Sequence, residues 1–265
     1  MRTIMPSALV NAIAVQLRVI WALMLREIHT INGKSRLGYL WVLIQGVFNV
    51  AVFWALREVM GFHAPHGMPV PIFLAAGFLV WGIFSDTVSK SINAISANQP
   101  LLTFPQVKEL DVFIARMVVI WATEVVTATI IISVSIILGA DFRVNSWLLI
   151  LVILLITPLL GLGVGMFFSA LTVFLPVLEK IVPMALRILF FASGVFFSVS
   201  VFRYEIAQWL LYNPVMQLIE ILRNGLHVSY ITTGTSFYYV VAVTLVFLVV
   251  GGFLERYTRK RRLDK

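Results

Sequence analysis

LGYLWVLIQGVFNVAVFWAL, residues 37–56, runs for twenty residues without one charged side chain. At a helical rise of about 1.5 Å per residue such a run covers the ~30 Å hydrocarbon core of a bilayer. The pattern recurs. Further apolar runs lie at roughly 70–89, after a loop holding Pro65, Pro69 and Pro71, and at 112–138, 146–172, 181–202 and 236–254. Of 265 residues 60% are hydrophobic and 12% charged, whereas ordinary soluble domains carry about 25% charged residues. A soluble core of this length could not hide so much apolar surface. The composition predicts an all-α integral membrane protein with six transmembrane helices in one domain, residues 1–265.

The net charge of +8 does not point to nucleic acid, because the basic residues flank the apolar runs. Arg2, Arg18, Arg26, Lys34 and Arg36 precede the first run, and Arg256, Arg259, Lys260, Arg261, Arg262 and Lys265 follow the last. With six spans, these and Lys90, Lys108 and Lys180 fall on one side, fourteen in all, against four on the other, Arg57, Arg143, Arg203 and Arg223. The imbalance predicts both termini in the cytoplasm. There is no cysteine, which excludes disulfides, thiol catalysis and cysteine metal sites. A cleaved signal peptide is not expected, since the stretch after Arg2 is broken by Asn11 and Gln16 and leads into Arg18.

Residues 8–31 read as an amphipathic helix. Val10, Ile13, Leu17, Ile20, Trp21, Met24, Ile28 and Ile31 follow spacings of three and four, while Asn11, Arg18 and Arg26 fall off the stripe. A helix of this kind lies in a membrane interface, or packs on a soluble partner. Residues 203–235 are fairly apolar but carry Arg203, Glu205, Glu220 and Arg223, and Asn213-Pro214 divides them. Neither half spans a bilayer. A re-entrant helical hairpin on the outer side, before the last span, is the expectation; a surface-lying amphipathic pair is the alternative.

Signals for catalysis are thin. His63 and His66 have no carboxylate nearby to complete a metal site, and no metal is expected. GLGVG, 161–165, lies within a span, where small residues permit close helix packing. The intramembrane charges are more informative. Asp86, Arg116 and Arg187 fall within about two turns of the cytoplasmic side, and Glu124 lies about 12 Å deeper than Arg116. Charges there line a polar path, or snorkel and pair within the bundle. FFASGVFFSVSVF, 190–202, alternates aromatics with small residues. It offers a wall on which sugar rings stack, with Phe190 and Phe197 as candidates, or it is lipid contact and helix packing.

Three stretches carry a family resemblance over essentially the whole chain: LREIHTINGKSRLGYLWVLIQ (25–45), NQPLLTFPQVKELDVFIAR (98–116) and LYNPVMQLIEILRNGL (211–226). In this order, with six spans, they resemble the membrane subunits of bacterial ABC-type polysaccharide exporters, within them the capsular branch. The resemblance implies a homodimeric channel in the bacterial cytoplasmic membrane, driven by two copies of a separate ATPase that binds the ATP and magnesium, with no cofactor in this chain. It implies that the loop after the second span docks on that ATPase through Phe104, Pro105, Gln106, Val107 and Lys108. The alternative for this loop is a solvated segment with Phe104 folded back under the membrane. It further implies that Lys34 and Arg36 meet the phosphate of a lipid-linked polysaccharide, and that Tyr212, Asn213, Pro214, Glu220 and Arg223 form an outer gate. Glu220 and Arg223, three apart, are placed to pair. A periplasmic adaptor and an outer-membrane channel are implied by analogy. Export of O-antigen, teichoic acid or a small molecule fits the same layout. A lipid-sugar enzyme would need clustered acids or histidines at a membrane face, and Asp86, Glu109 and Asp111 are scattered; a passive scaffold would not need polar residues within the bundle.

Overall fold

The computed structural model describes residues 5–31, 38–61 and 63–263, and every regular element among them is helical. Helix α1 (Met5–Ile31) precedes α2 (Gly38–Val59) and α3 (Val70–Ile92). A short α4 (Ala94–Ala97) and a 3-10 turn at Gln99–Leu101 lead to α5 (Glu109–Ile137) and α6 (Trp147–Leu171). Then come α7 (Leu178–Ala192), α8 (Tyr204–Leu211), α9 (Pro214–Leu226) and α10 (Phe237–Leu263). Among the described residues five helices are long and apolar enough to cross a membrane: α2, α3, α5, α6 and α10.

The run expected as a span at 181–202 takes a different form. Helix α7 has 15 residues, about 22 Å at helical rise. It stops at Ser193, and Gly194 follows with φ of +77°, a conformation that a side chain resists. A Cβ at Gly194 would also strike the Sδ of Met216. Beyond it the backbone runs unwound to a 3-10 turn at Val199–Val201.

Local chemistry sets several boundaries. The Asn213 side chain caps α9 by accepting the Val215 N–H at 3.0 Å, with Pro214 at the first helical position. Ser146 caps α6 through the Leu149 N–H, and the Asp111 carboxylate accepts the Lys108 N–H at 2.8 Å to start α5. Pro158 sits within α6 and cannot bond the Leu154 carbonyl one turn back. The Trp121 indole of α5 donates to that carbonyl instead, at 2.9 Å, so no buried acceptor is orphaned there.

Helix α3 is the centre of the bundle, buried along most of its length against α5, α6 and α9. Helix α2 is its opposite: Val50 is the only buried side chain among those described in it. Helix α6 owes its neighbours to glycine. A Cβ on Gly161 would lie 3.0 Å from Thr87 Cβ, and one on Gly165 2.6 Å from Ser91 Cβ, both on α3. On the opposite face a Cβ on Gly163 would lie 2.7 Å from the Leu248 backbone nitrogen of α10. The GLGVG run is therefore a two-sided packing seam.

Replacing Gly163 by Val drives a side chain into the α10 backbone, where nothing flexible can yield. The Gly163→Val protein should lose about 1–3 kcal/mol and show a lower melting midpoint in detergent. Gly252→Ala, whose Cβ would meet nothing within 4 Å, should not; equal losses would sink the seam.

Candidate functional site

Three arrangements of polar groups stand out, one at each end of the bundle and one between. At the end where α7 stops, the unwound stretch exposes carbonyls that helical bonding cannot satisfy. Two arginines do so. Arg223 of α9, with 0% of its surface exposed, donates Nη2 to Val195 O at 2.8 Å, Nη1 to Phe197 O at 3.0 Å and Nε to Phe73 O at 3.3 Å. Arg57 of α2 donates to Phe196 O between them. Both guanidiniums flank the Phe73 ring, 3.4 Å and 5.3 Å from its centroid.

The charge of Arg223 is met by Glu220, 3.5 Å away and equally buried. Glu220 in turn accepts from Ser198 Oγ at 3.2 Å and the Val199 N–H at 3.4 Å, and both its oxygens lie 3.0 Å from the Tyr230 hydroxyl. Burial, helped by the Glu220 carboxylate, pushes the Tyr230 hydroxyl up to about 12, so it remains a donor at neutral pH. Asn213 Nδ2 reaches Ser193 Oγ at 2.9 Å, and Gln217 bridges Leu211 O to the Ser236 N–H. Of the five residues proposed from sequence for this region, Glu220 and Arg223 share the network, Asn213 bonds Ser193 at the end of α7, and Pro214 starts α9. Tyr212 is exposed, its carbonyl held by the Tyr239 hydroxyl at 2.8 Å.

Between the ends a cavity of about 810 Å³ lies among α2, α3, α5 and α7. Along α3 its lining runs from Ala75 to Ser89, about 21 Å at helical rise. Phe78, Trp81, Phe190 and Phe191 form an aromatic part, with ring centroids of Trp81 and Phe78 each 5.7 Å from that of Phe190. Gln45, Asn49, Ser85, Asp86, Ser89, Glu124, Thr127 and Arg187 form a polar part. Asp86 stands 4.0 Å from the Lys90 ammonium. The Glu124 carboxylate lies against Gly82, where a Cβ would come within 2.6 Å of its carboxyl carbon. The structure thus brings Asp86, Glu124, Arg187 and Phe190 to one space. Arg116 and Phe197 lie elsewhere: Phe197 packs with Phe202 and against Met216 and Val199.

Arg116 belongs to the arrangement at the opposite end of the bundle, beside α4. It pairs with Glu27 of α1 at 3.2 Å and donates to Lys90 O, at the end of α3, at 2.7 Å. The neighbouring Arg26 donates to Asn98 Oδ1 at 2.6 Å, just beyond α4. Two adjacent residues of α1 therefore fasten the segment 93–108 and the start of α5 together. On that segment Phe104 is 58% exposed, and Pro105, Gln106 and Lys108 are exposed beside it. Val107 turns the other way, onto the cluster of Ile95, Val112, Phe113 and Met166. Phe104 is not folded back under the bundle. Lys34 and Arg36 lie outside the described residues.

Sequence reasoning missed Gln45 and Asn49, whose spacing of four in an apolar helix was a readable signal. It also missed Glu27, Tyr230 and Ser198, whose partners lie 89, 10 and 22 positions away and leave no local trace. His66 meets Ser200 Oγ at 3.2 Å, and no group of three metal-ligating side chains stands together among the described residues.

A helical bundle with an unwound segment, a polar cavity among its long apolar helices and a loop tethered by side chains of α1 fits a transport subunit, and comparison with known proteins agrees. Residues 18–227 match the family model described as ABC-2 type transporter. The polysialic acid transport protein KpsM of Escherichia coli is 31% identical over 245 residues, 91% of this chain and 94% of KpsM. The capsule polysaccharide export inner-membrane protein CtrC of Neisseria meningitidis is 24% identical over 252 residues, 95% of each chain. BexB of Haemophilus influenzae, described in the same words, is 24% identical over 244 residues, 91% of each. The chain belongs to the ABC-2 type transporter family. It is a multi-pass inner-membrane permease subunit and not an enzyme; ATP is hydrolysed by a separate partner.

Arg223→Met should leave Glu220 buried without its cation and three carbonyls without donors, a loss of about 3–5 kcal/mol. Tyr230→Phe removes one donor of several and should cost about 1–3 kcal/mol. Thermal unfolding in detergent checks the order; equal midpoints for wild type and Arg223→Met would refute the network.

Proposed function

We propose that this chain is the membrane subunit of an ATP-driven exporter that moves lipid-linked capsular polysaccharide across the cytoplasmic membrane. The observation that carries this reading is the cavity beside α3. It follows the helix for about 21 Å, most of the ~30 Å apolar thickness, and combines ring faces with amides, hydroxyls and charges. A lipid-filled groove would not need that polar half. Relatives described as capsule polysaccharide export proteins, aligned over nearly their whole length, supply the cargo class.

In this reading the chain forms a single transmembrane domain with six crossings. The sixth is α7 continued by the unwound stretch through Val201, whose capped carbonyls allow non-helical backbone at membrane depth. The basic termini lie in the cytoplasm. Helix α1 lies along that interface, with Ile13, Leu17 and Trp21 exposed toward lipid. The α8–α9 hairpin is the outer gate, with buried α9 as its fixed arm and exposed α8 as its rim. Two copies of the chain face one another across the open side of the cavity, where α2 and α7 leave apolar side chains uncovered. Lys34 and Arg36 meet the phosphate of the lipid carrier, and a periplasmic adaptor and outer-membrane channel receive the polymer.

The exposed Phe104 is the anchor for the ATPase, with Lys108 at the rim. Its docking force reaches the bundle through the Arg26–Asn98 and Glu27–Arg116 contacts. Copurification from native membranes tests the assembly. An ATP-hydrolysing subunit should accompany the wild-type chain, and Phe104→Asp, on a side chain outside the bundle core, should reduce it about tenfold or more while the variant still melts as wild type does. An ATPase retained in full by the variant would remove the docking role, and no ATPase with either chain would remove the exporter reading.

A further inference from the structure

The link between α2 and α3 is fastened to the unwound stretch before, within and after itself. Before it, Arg57 of α2 donates to Phe196 O. After it, the Phe73 carbonyl of α3 shares Arg223 with the carbonyls of Val195 and Phe197. Within it stands His66, half-buried, with φ of 58° and ψ of 23°. Among the described residues it is the only non-glycine with a positive φ. That left-handed conformation suits glycine or asparagine and is costly for most other side chains. Contacts of the ring must hold a histidine there, and the ring has two partners. Nε2 lies 3.2 Å from Ser200 Oγ, and the ring meets that of Tyr230 edge to face, with centroids 5.2 Å apart.

The contact with Ser200 continues inward. Ser200 Oγ lies 3.0 Å from Ser198 Oγ, which lies 3.2 Å from Glu220 Oε2. Exposure falls along this chain, from Ser200 at the surface to Ser198 and Glu220, 0% and 1% exposed. Counting protons gives it a direction. Glu220, paired with Arg223, only accepts, so the one hydroxyl proton of Ser198 goes to it. Ser200 must then donate to Ser198, and His66 must donate from Nε2 to Ser200. The Tyr230 ring leads to the same carboxylate through its hydroxyl, 3.0 Å from both oxygens. The Arg223 fastening is fully buried, whereas that of His66 starts at an exposed serine, where water can replace it.

We infer that His66 is a clasp: its Nε2–H closes a one-way hydrogen-bond chain onto Glu220, and this chain makes the α2–α3 link and the unwound stretch loosen together. Where α8 and α9 move as the gate proposed above, the clasp opens with them. That step rests on the exporter reading; the clasp itself rests on the geometry of His66, Ser200, Ser198 and Glu220.

The chain has no cysteine, so a single introduced thiol reports its own surroundings. Ala64, 7% exposed, reports the link, and Val199, 1% exposed, reports the unwound stretch. Each is replaced by Cys in turn, in the complete complex with its ATPase in lipid nanodiscs. Its rate of maleimide labelling is divided by that of Val59→Cys, a position 87% exposed. His66→Asn, at ease in the left-handed backbone but too short to reach Ser200, should raise labelling at both positions about three- to tenfold. His66→Gln, less at ease there, places an amide N–H where Nε2 stands and should stay within about twofold of wild type. A residue needed only for its backbone conformation would give the reverse order. Ser200→Ala should match His66→Asn, and the two together should do no more than either alone, since both break one chain. The reverse order, a rise confined to the segment that carries the substitution, effects that multiply in the double variant, or unchanged labelling would overturn the clasp. The gate reading fails separately: wild-type labelling at both positions unmoved by ATP turnover would remove it, while the variant series still decides the clasp.

Discussion

Non-helical backbone inside an apolar bundle carries hydrogen-bonding groups that neither lipid nor hydrophobic side chains can satisfy. In this protein the problem arises where α7 ends at Ser193, and two arginines solve it. Arg223 bonds the carbonyls of Val195 and Phe197, and Arg57 bonds that of Phe196. The three carbonyls are consecutive, and the arginines come from helices at opposite ends of the chain. Once Arg223 is buried its charge must be met, which brings in Glu220, and the remaining lone pairs of Glu220 bring in Ser198, Val199 and Tyr230. Each partner fixes another segment. Helices α8 and α9, the end of α7 and the start of α3 become one unit because a single stretch of chain is not helical.

That unit shapes the cavity. With α7 ended early and held against α3, Phe190 packs on Phe78 and Trp81, and Phe191 packs on Phe190 and Phe196. The opposite wall comes from α2, which buries little of itself and presents Gln45 and Asn49 inward. Helix α5 contributes Glu124, admitted by the missing side chain of Gly82. The result is an amphipathic space in which ring faces and polar groups are separated by side. In the exporter reading that division suits a cargo with the same two characters.

At the α4 end of the bundle the connections are polar side-chain contacts between distant segments. Arg26 and Glu27 are adjacent, yet one reaches Asn98 and the other Arg116, whose guanidinium also holds the last turn of α3 at Lys90 O. Lys90 is one turn from Asp86 in the cavity lining. A displacement of segment 93–108 would therefore be felt by α1, α3 and α5 together. The packing seam of Gly161, Gly163 and Gly165 keeps α6 fixed between α3 and α10, so the bundle has a rigid side and a side built around a cavity.

Much of this was legible from residues alone. The uncharged runs and their basic flanks determine a helical membrane protein, since backbone satisfaction in lipid leaves helices as the simplest solution for such stretches. The sequence also placed the glycine seam, the Asn213-Pro214 break and the pairing of Glu220 with Arg223, all set by contacts within a turn or by residue size. It could not show that 181–202 would stop being helical at Ser193, because the run is uniformly apolar and only the arginines supplied by α2 and α9 make unwinding tolerable. Nor could it sort Phe190 from Phe197, or Glu124 from Arg116. Each pair has the same local character, and which member faces the cavity depends on how distant helices cross. Composition and periodicity decide what each segment can be, whereas long-range partners decide which buried groups are satisfied, and so where a polar space is left open for a ligand.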